Sequence, residues 1–326
     1  MTQTTRISKF LKTFAIVSMT MSVLTVQALT ISPARDEKTG DPGETIPGSF
    51  TLINEQANDL TFYTSVETFD SQGESGTPNF TTAKEGLPTW VKVVDKVILK
   101  KGERLTVPYT IEIPKDADSG GHFAAIFLST VPPSLGNGQV SVGAKVGMLV
   151  LLTVTGAKIE QGGLSSFAFK SGAKMLTNLP LDFVYKFKNE GNDRIQPIGD
   201  ITVKNMFSQE SGKVDANKAL GNILPKSTRR FEARIGDTDA PAVSAPFFDH
   251  VKYQMSNFAF GMYSANINLT FGNKGIAQSS FTYYIIPWQL LSIVLGGLIV
   301  AILLLAALLK QYNKWIIKQA QAVSKK

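Results

Sequence analysis

The chain has no cysteine among its 326 residues and only two histidines. The first absence removes disulfides, thiol nucleophiles and cysteine-ligated zinc from consideration. The second leaves little for imidazole chemistry. His122 opens an apolar stretch after two glycines, His250 follows Asp249, and neither has a second histidine at ligand spacing. Each is read as a partly exposed strand-edge side chain in preference to a base or metal ligand. The G-x-S-x-G elbow, the H-E-x-x-H helix, the Walker loop and the dinucleotide fingerprint are also missing. Acidic pairs stand at Asp36-Glu37, Asp116/Asp118 and Asp237/Asp239. They are read as turn residues, whose carboxylates bond local backbone, in preference to calcium ligands. Nothing sets two carboxylates across one cleft, as glycoside hydrolysis requires. No enzymatic activity, cofactor or metal site is expected.

A general excess of positive charge is missing too, although the formal net charge is +7. Arg6, Lys9 and Lys12 lie at one end, and Lys310, Lys314, Lys318, Lys325 and Lys326 at the other, without an acid near either group. Setting those eight aside leaves 25 basic against 26 acidic residues, a net −1. The basicity therefore belongs to the termini, and no nucleic-acid partner is expected.

What the chain does have is a charge-free run of 22 residues, Trp288 to Leu309, of which 14 are Leu, Ile or Val. As a helix it would extend about 33 Å, enough to cross a hydrocarbon core of roughly 30 Å. Trp288 at one end and Tyr312 and Trp315 at the other suit the two membrane–water interfaces. Lys310 and Lys314 follow the run, so the positive-inside rule puts the tail in the cytoplasm and the preceding chain outside. Residues 1–28 read as a signal peptide: a basic start, a short apolar core from Phe14 to Leu24, and Val26-Gln27-Ala28 as a small-x-small cleavage site. The expected topology is single-pass type I in a cell membrane, with the N-terminus outside after cleavage. Ser292/Gly296 and Gly297/Ala301 are small residues four apart, a spacing that would let two such helices pair as a homodimer.

Between the two ends the chain alternates polar and apolar residues in short runs. Ser49–Asn54, Leu60–Phe69 and Arg104–Ile113 each show period two, and Phe123–Val131 and Val146–Val154 are more continuously apolar. No convincing amphipathic helix appears outside the membrane run. The pattern restarts near Gly156, with Leu181–Phe187 leading into Asn189-Glu190-Gly191-Asn192 much as Ser49–Ile53 leads into Asn54-Glu55. The expected fold is an all-β ectodomain of two tandem Ig-like β-sandwich domains plus one C-terminal transmembrane α-helix. The boundaries are 29–156, 157–284, a helix over 285–309 and a basic tail over 310–326. Without cysteine staples, such an exported protein suits a bacterial cell surface.

Several stretches resemble a known family. Ile31-Ser32-Pro33-Ala34, Asp41-Pro42-Gly43-Glu44-Thr45, Phe50–Asn54 and Gly121-His122-Phe123-Ala124-Ala125-Ile126 are similar to the first Ig-like domain of bacterial WxL-interacting-type cell-surface proteins. Asn189-Glu190-Gly191-Asn192, Leu224-Pro225 and Gly261-Met262-Tyr263-Ser264-Ala265 are similar to the second. The resemblance implies binding of another surface protein or of peptidoglycan. The function expected is that of a membrane-anchored binding or adhesion protein. The alternative is a membrane-tethered assembly factor or chaperone for exported proteins, which an exposed apolar edge strand would favour. Two stretches invite recognition. Pro246–Phe260 gathers Phe247, Phe248, Tyr253, Phe258 and Phe260 without clear period, which suits a contact surface or, preferably, a loop closing a sandwich. Asp70–Pro88 reads as a long polar loop.

Overall fold

The computed structural model describes residues 29–132, 145–236 and 240–323, the last six by backbone alone. The signal-peptide segment, Asp237/Asp239 and Lys325/Lys326 lie outside the described residues. The chain divides into two compact units. One holds Phe80–Asp118 and His122–Val154 with the chain before Asp70. The other holds Thr155 onward with Asp70–Asn79 and Ser119–Gly121.

The strands of the first unit run in order β1 (Leu29–Ser32), β2 (Arg35–Gly40), β3 (Thr45–Asn54), β4 (Leu60–Gln72) and β5 (Thr77–Thr81). A single helical turn, α1 (Leu87–Trp90), precedes β6 (Val91–Val93), β7 (Lys96–Leu99), β8 (Arg104–Glu112), β9 (Gly120–Ser129) and β10 (Lys145–Val154). One sheet has the order β1-β3-β8-β6. The other runs β2-β10-β9-β4-β5, with β7 also on β4. Alternation turns one face of each strand inward. Phe50 and Leu52 of β3 and Val107, Tyr109 and Ile111 of β8 meet Phe62, Ile126, Leu128, Val150 and Leu152 from the second sheet in one core. The sheets are also tied by a polar bond, since the buried Tyr109 hydroxyl donates to Asp36 Oδ2 of β2 at 2.6 Å. Burial, that hydrogen bond and the nearby carboxylate charge all push the Tyr109 pKa up. Gly48 leaves room for the ring, because a Cβ at that position would overlap Tyr109.

The second unit contains β11 (Gly162–Phe169), β12 (Met175–Leu176), β13 (Leu181–Asn189), β14 (Ile198–Asn205), β15 (Glu210–Asp215) and β16 (Thr228–Ile235). Then come α2 (Phe247–Ser256), β17 (Gly261–Phe271), β18 (Gly275–Ile285) and α3 (Trp288–Val323). Its sheets are β11-β13-β16 and β12-β18-β17-β14-β15. The core is rich in aromatics. Phe169 meets Tyr283 edge-on at 4.7 Å, and Tyr185 stacks on Phe231 at 4.9 Å. In both units the first strand pairs antiparallel with the B-like strand (β3, β13). A short second strand then crosses to run parallel with the last strand, β2 on β10 and β12 on β18. This is an immunoglobulin-like sandwich pattern.

A second shared device is a fully buried asparagine at the end of that B-like strand. Asn54 Nδ2 donates to the carbonyls of Asn58 (2.9 Å), Lys100 (3.1 Å) and Leu99 (3.3 Å), and its Oδ1 accepts the Gln56 N–H (3.0 Å). Asn189 Nδ2 donates to Asp193 O (2.7 Å) and Ile223 O (2.9 Å), and its Oδ1 accepts the Gly191 N–H (2.8 Å). Each amide closes its own turn and pins it to the approach of the strand that neighbours it, β8 or β16.

The structure departs from the sequence expectation in six places. His250 lies on α2 and not at a strand edge, and Ile285 closes β18, so the helix expected over 285–309 begins at Trp288. Pro246–Phe260 is not irregular, because Phe247–Ser256 forms α2. Its inward positions, Phe247, Val251 and Gln254, have helical spacing, but the third is a glutamine and breaks the apolar pattern. Asp70–Pro88 is not a loop either: β4 runs on to Gln72, β5 returns, and the positive φ of Gly73 and Gly76 makes the turn. Asp36 and Glu37 sit within strand β2 and not in a turn. Finally, the helix does not end at Leu309. No Gly or Pro follows to stop it, and α3 continues through the basic tail to Val323.

Candidate functional site: the collar of the apolar helix

Residues Trp288–Ile317 of α3 form a helix long and apolar enough to cross a membrane, and beyond its first turn, where Gln289 is buried, it is exposed. Thirty residues at about 1.5 Å each give roughly 45 Å. The side chains from Ser292 to Ile317 are exposed on all sides. Of the residues expected at the membrane interfaces, Trp288 is half-exposed at the first turn, and Tyr312 and Trp315 stack at 6.1 Å near the other end. Lys310 and Lys314 are exposed one turn apart.

The first turn of α3 lacks a local cap. Pro287 precedes it and has no acceptor side chain; the Trp288 N–H turns back to Ile286 O at 2.8 Å and the Leu291 N–H bonds Pro287 O at 3.0 Å, so the N–H groups between them need partners from elsewhere. One comes from α2. Gln254, 1% exposed, accepts the Leu290 N–H through Oε1 at 3.0 Å. Its Nε2 donates to Gln289 Oε1 at 2.6 Å and reaches Thr177 O at 3.4 Å. Phe247 meets Trp288 edge-on at 6.0 Å, and Val251 is buried beside them. The helix is thus collared where it leaves the sandwich. Sequence reasoning singled out the aromatics of this stretch and missed Gln254, whose polarity reads as surface in any hydrophobic pattern.

Of the residues named from sequence, Phe247 and Phe248 touch edge-on at 5.5 Å. Phe248, Phe258 and Phe260 stay exposed, while Tyr253 and His250 are half-buried on α2. They gather on α2 and the four residues after it.

Two clefts lie elsewhere. In the first unit a cavity of about 470 Å³ is lined by Glu85, Trp90, Asp116, Asp118 and His122. The Trp90 and His122 rings are 4.7 Å apart, and His122 Nε2 lies 2.8 Å from the Asp118 carbonyl oxygen. His122 is therefore half-buried under an indole, held at the start of β9 by the turn at Asp116–Asp118. In the second unit a cavity of about 420 Å³ lies between Phe169, Lys170, Leu176, Asn178, Pro180 and Asp182. Neither brings a nucleophile against a base. Among the described residues no group of three or more His, Asp or Glu has the geometry to hold a metal ion.

The sheet edges carry charge. On β2, Arg35 pairs with Glu37 at 3.0 Å and Lys38 with Asp36 at 3.5 Å. On β15, Lys213 reaches Asp200 of the neighbouring strand at 2.9 Å. On β16, Arg234 takes Asp182 through Nε at 2.6 Å and Nη2 at 3.1 Å. Arg229 of the same strand is half-buried over the Phe231 ring, and burial pushes its pKa down. Charged edges resist pairing with a stray strand. One stretch is different. β2 pairs with β10 only from Leu149 on, so Lys145–Met148 lies outside that pairing.

No family model matches the chain, and no curated protein does. Among solved structures it is similar to the class 5 fimbriae chaperone CfaA, at 12% identity over 80% of this chain and 100% of that one, with a TM-score of 0.38. It is similar to a chain of the chaperone–tip adhesin complex of CFA/I fimbriae biogenesis, at 14% identity over 80% and 99%, with a TM-score of 0.37. A third similar structure is the E. coli chaperone DraB, at 11% identity over 79% and 97%, with a TM-score of 0.34. At these TM-scores the likeness carries no residue-by-residue correspondence.

Proposed function

We propose that the protein is a non-enzymatic, single-pass membrane protein that holds two Ig-like domains outside the cell to bind a surface protein or a wall polymer. The observation that carries this is the junction at α3. An apolar helix, exposed on all sides from Ser292 to Ile317, continues from the last sandwich strand with no free linker, and a solvent-filled setting would leave its apolar residues in water. The lysines past its far end support a cytoplasmic tail. The resemblance to WxL-interacting-type proteins supports a partner among surface proteins or peptidoglycan. On the sandwiches, the Trp90–His122 cleft offers ring faces and carboxylates to such a partner.

The second reading is an assembly factor that pairs a strand with an exported client. It is favoured by the stretch Lys145–Met148 of β10, which lies outside the pairing with β2 and where Val146 and Gly147 are partly exposed, although Lys145 at its start pairs with Glu67 at 2.8 Å. The similar solved structures are described as chaperones.

Lys101→Cys and Gln311→Cys, both at exposed positions, test the topology in intact cells. A membrane-impermeant thiol reagent should label the first at once and the second only after permeabilisation. The reverse pattern refutes the orientation. Sedimentation with peptidoglycan and crosslinking to surface proteins then test binding. A folded chain retained by neither removes the surface-binding reading. A crosslink from Val146 to an exported client, in place of a surface partner, selects the second reading.

A further inference from the structure

We infer that α2 and the loop after it, Phe247–Phe260, lie in the outer membrane–water interface as a lipid-contacting collar around the exit of α3. This rests on α3 being the membrane anchor proposed above. Three observations converge. First, α2 presents two distinct stripes. Phe247, Val251 and Gln254 face α3, and Phe248 and Met255, seven residues apart, form a second apolar stripe turned outward. Phe248 is 70% and Met255 65% exposed, and Phe258 and Phe260 continue the patch at 64% and 50%. Second, the polar residues are segregated. Asp249 and Ser256 occupy the far face, and Lys252 flanks the Phe248/Met255 stripe, where its amine can rise to phosphate level while its stem stays apolar.

Third, the depth is set by the collar itself. Leu290 to Leu309 is 20 residues, about 30 Å as a helix, the thickness of a hydrocarbon core. Gln254 bonds to Leu290 and Gln289, and Phe247 touches Trp288. α2 is therefore level with the turn at which the apolar run enters the bilayer, the depth that Trp and Phe rings favour. A protein partner would have to cover the same patch while sharing that depth with lipid headgroups. The bilayer covers it without any further component. The aromatics that the sequence offered as a protein-recognition surface are thereby assigned to lipid.

The absence of cysteine makes the test clean, since each introduced thiol is the only one. Full-length chains carrying Phe248→Cys, Met255→Cys, Phe258→Cys, Asp249→Cys or Leu298→Cys are labelled with an environment-sensitive fluorophore. They are then reconstituted into phosphatidylcholine vesicles with brominated acyl chains. Labels at 248, 255 and 258 should shift to the blue and lose most of their emission to the bromines. The label at 249 should stay unquenched, and the label at 298, inside the span, should be quenched strongly. Quenching at 298 with none at 248 and 255 overturns the collar and leaves the anchor standing. No quenching at 298 overturns the anchor itself, and the collar with it.

Discussion

Replacing Gln254 with alanine should release α2 from α3 while leaving both sandwiches folded. Gln254 supplies the acceptor for the Leu290 N–H and the donor for the buried Gln289 oxygen. Loss of a helix cap costs about 1 kcal/mol. A buried amide oxygen left without its donor costs about 1–3 kcal/mol. Together these give about 3 kcal/mol, or about 100-fold in the population of the undocked state at roughly 1.4 kcal/mol per decade. Hydrogen exchange on the full chain in detergent micelles reads this directly, as faster exchange in the peptides covering Phe247–Ser256 and little change in β13 or β17. Gln254→Glu sharpens the test. It keeps the acceptor but loses the donor, and burial raises the pKa of the new carboxyl. Its protonated form restores the donor, so docking of this variant should strengthen as pH falls and weaken as pH rises. If Gln254→Ala speeds exchange in α2 by less than about threefold, roughly 0.7 kcal/mol, the side chain is not what holds the collar.

Other consequences follow from the cores. Asn54→Ala and Asn189→Ala each remove about three hydrogen bonds from a fully buried site and should each cost about 3 kcal/mol, measured as a fall in the urea midpoint of unfolding. A loss below about 0.5 kcal/mol would mean that water replaces the amide. Tyr109, Tyr185 and Tyr283 are all pushed up chiefly by burial. Their folded pKa values lie above the unfolded one, so their contribution is complete below pH ~10 and declines as pH rises, by about 1.4 kcal/mol per pH unit for each tyrosine. Urea unfolding at a series of alkaline pH values should show that slope, and Tyr109→Phe should reduce it by one tyrosine's share; an unchanged slope would refute the assignment. Gly48→Ala should displace the Tyr109 ring, weaken its bond to Asp36 and lower the melting temperature, whereas Gly73→Ala at an open turn should act only through its positive φ.

Strands with one buried face were legible because their period is two whatever the partner, and β3, β4, β8 and β13 fall where the alternation puts them. The apolar run of α3 was equally legible as a charge-free composition, although the expected start at 285 falls in β18 and the helix begins at Trp288. Its end was not, because the end of an apolar run does not stop a helix, and only Gly, Pro or a cap would have marked Leu309. The collar was hidden for a related reason. A helix that docks through a glutamine carries its key contact in a residue that hydrophobic periodicity counts as surface. The buried asparagines were visible as a repeated Asn-Glu after each B-like strand, yet nothing short of three-dimensional contact shows that a turn residue is an anchor. Asp36 likewise looked like turn chemistry, and its bond to Tyr109 spans 73 residues.

The junction between sheet and helix explains why a long-range cap is needed at all. β12 pairs with β18 up to Ile285, and the Ile286 N–H still donates to Leu176 O at 2.8 Å. Only Pro287 separates that last sheet bond from the first residue of α3. Proline fixes φ and lacks an N–H, which suits an abrupt change from strand to helix but leaves no side chain to satisfy the helix start. A polar residue at that position would have capped the helix locally and made α2 dispensable. With proline there, the direction of α3 is set by the sheet, and its first turn is completed by Gln254, 36 residues back from Leu290. A tether meant only to hold a domain near a surface needs neither feature. A helix held at both its backbone and its cap fixes the attitude of the sandwich it belongs to, and a docked α2 at the same level fixes it from a second side.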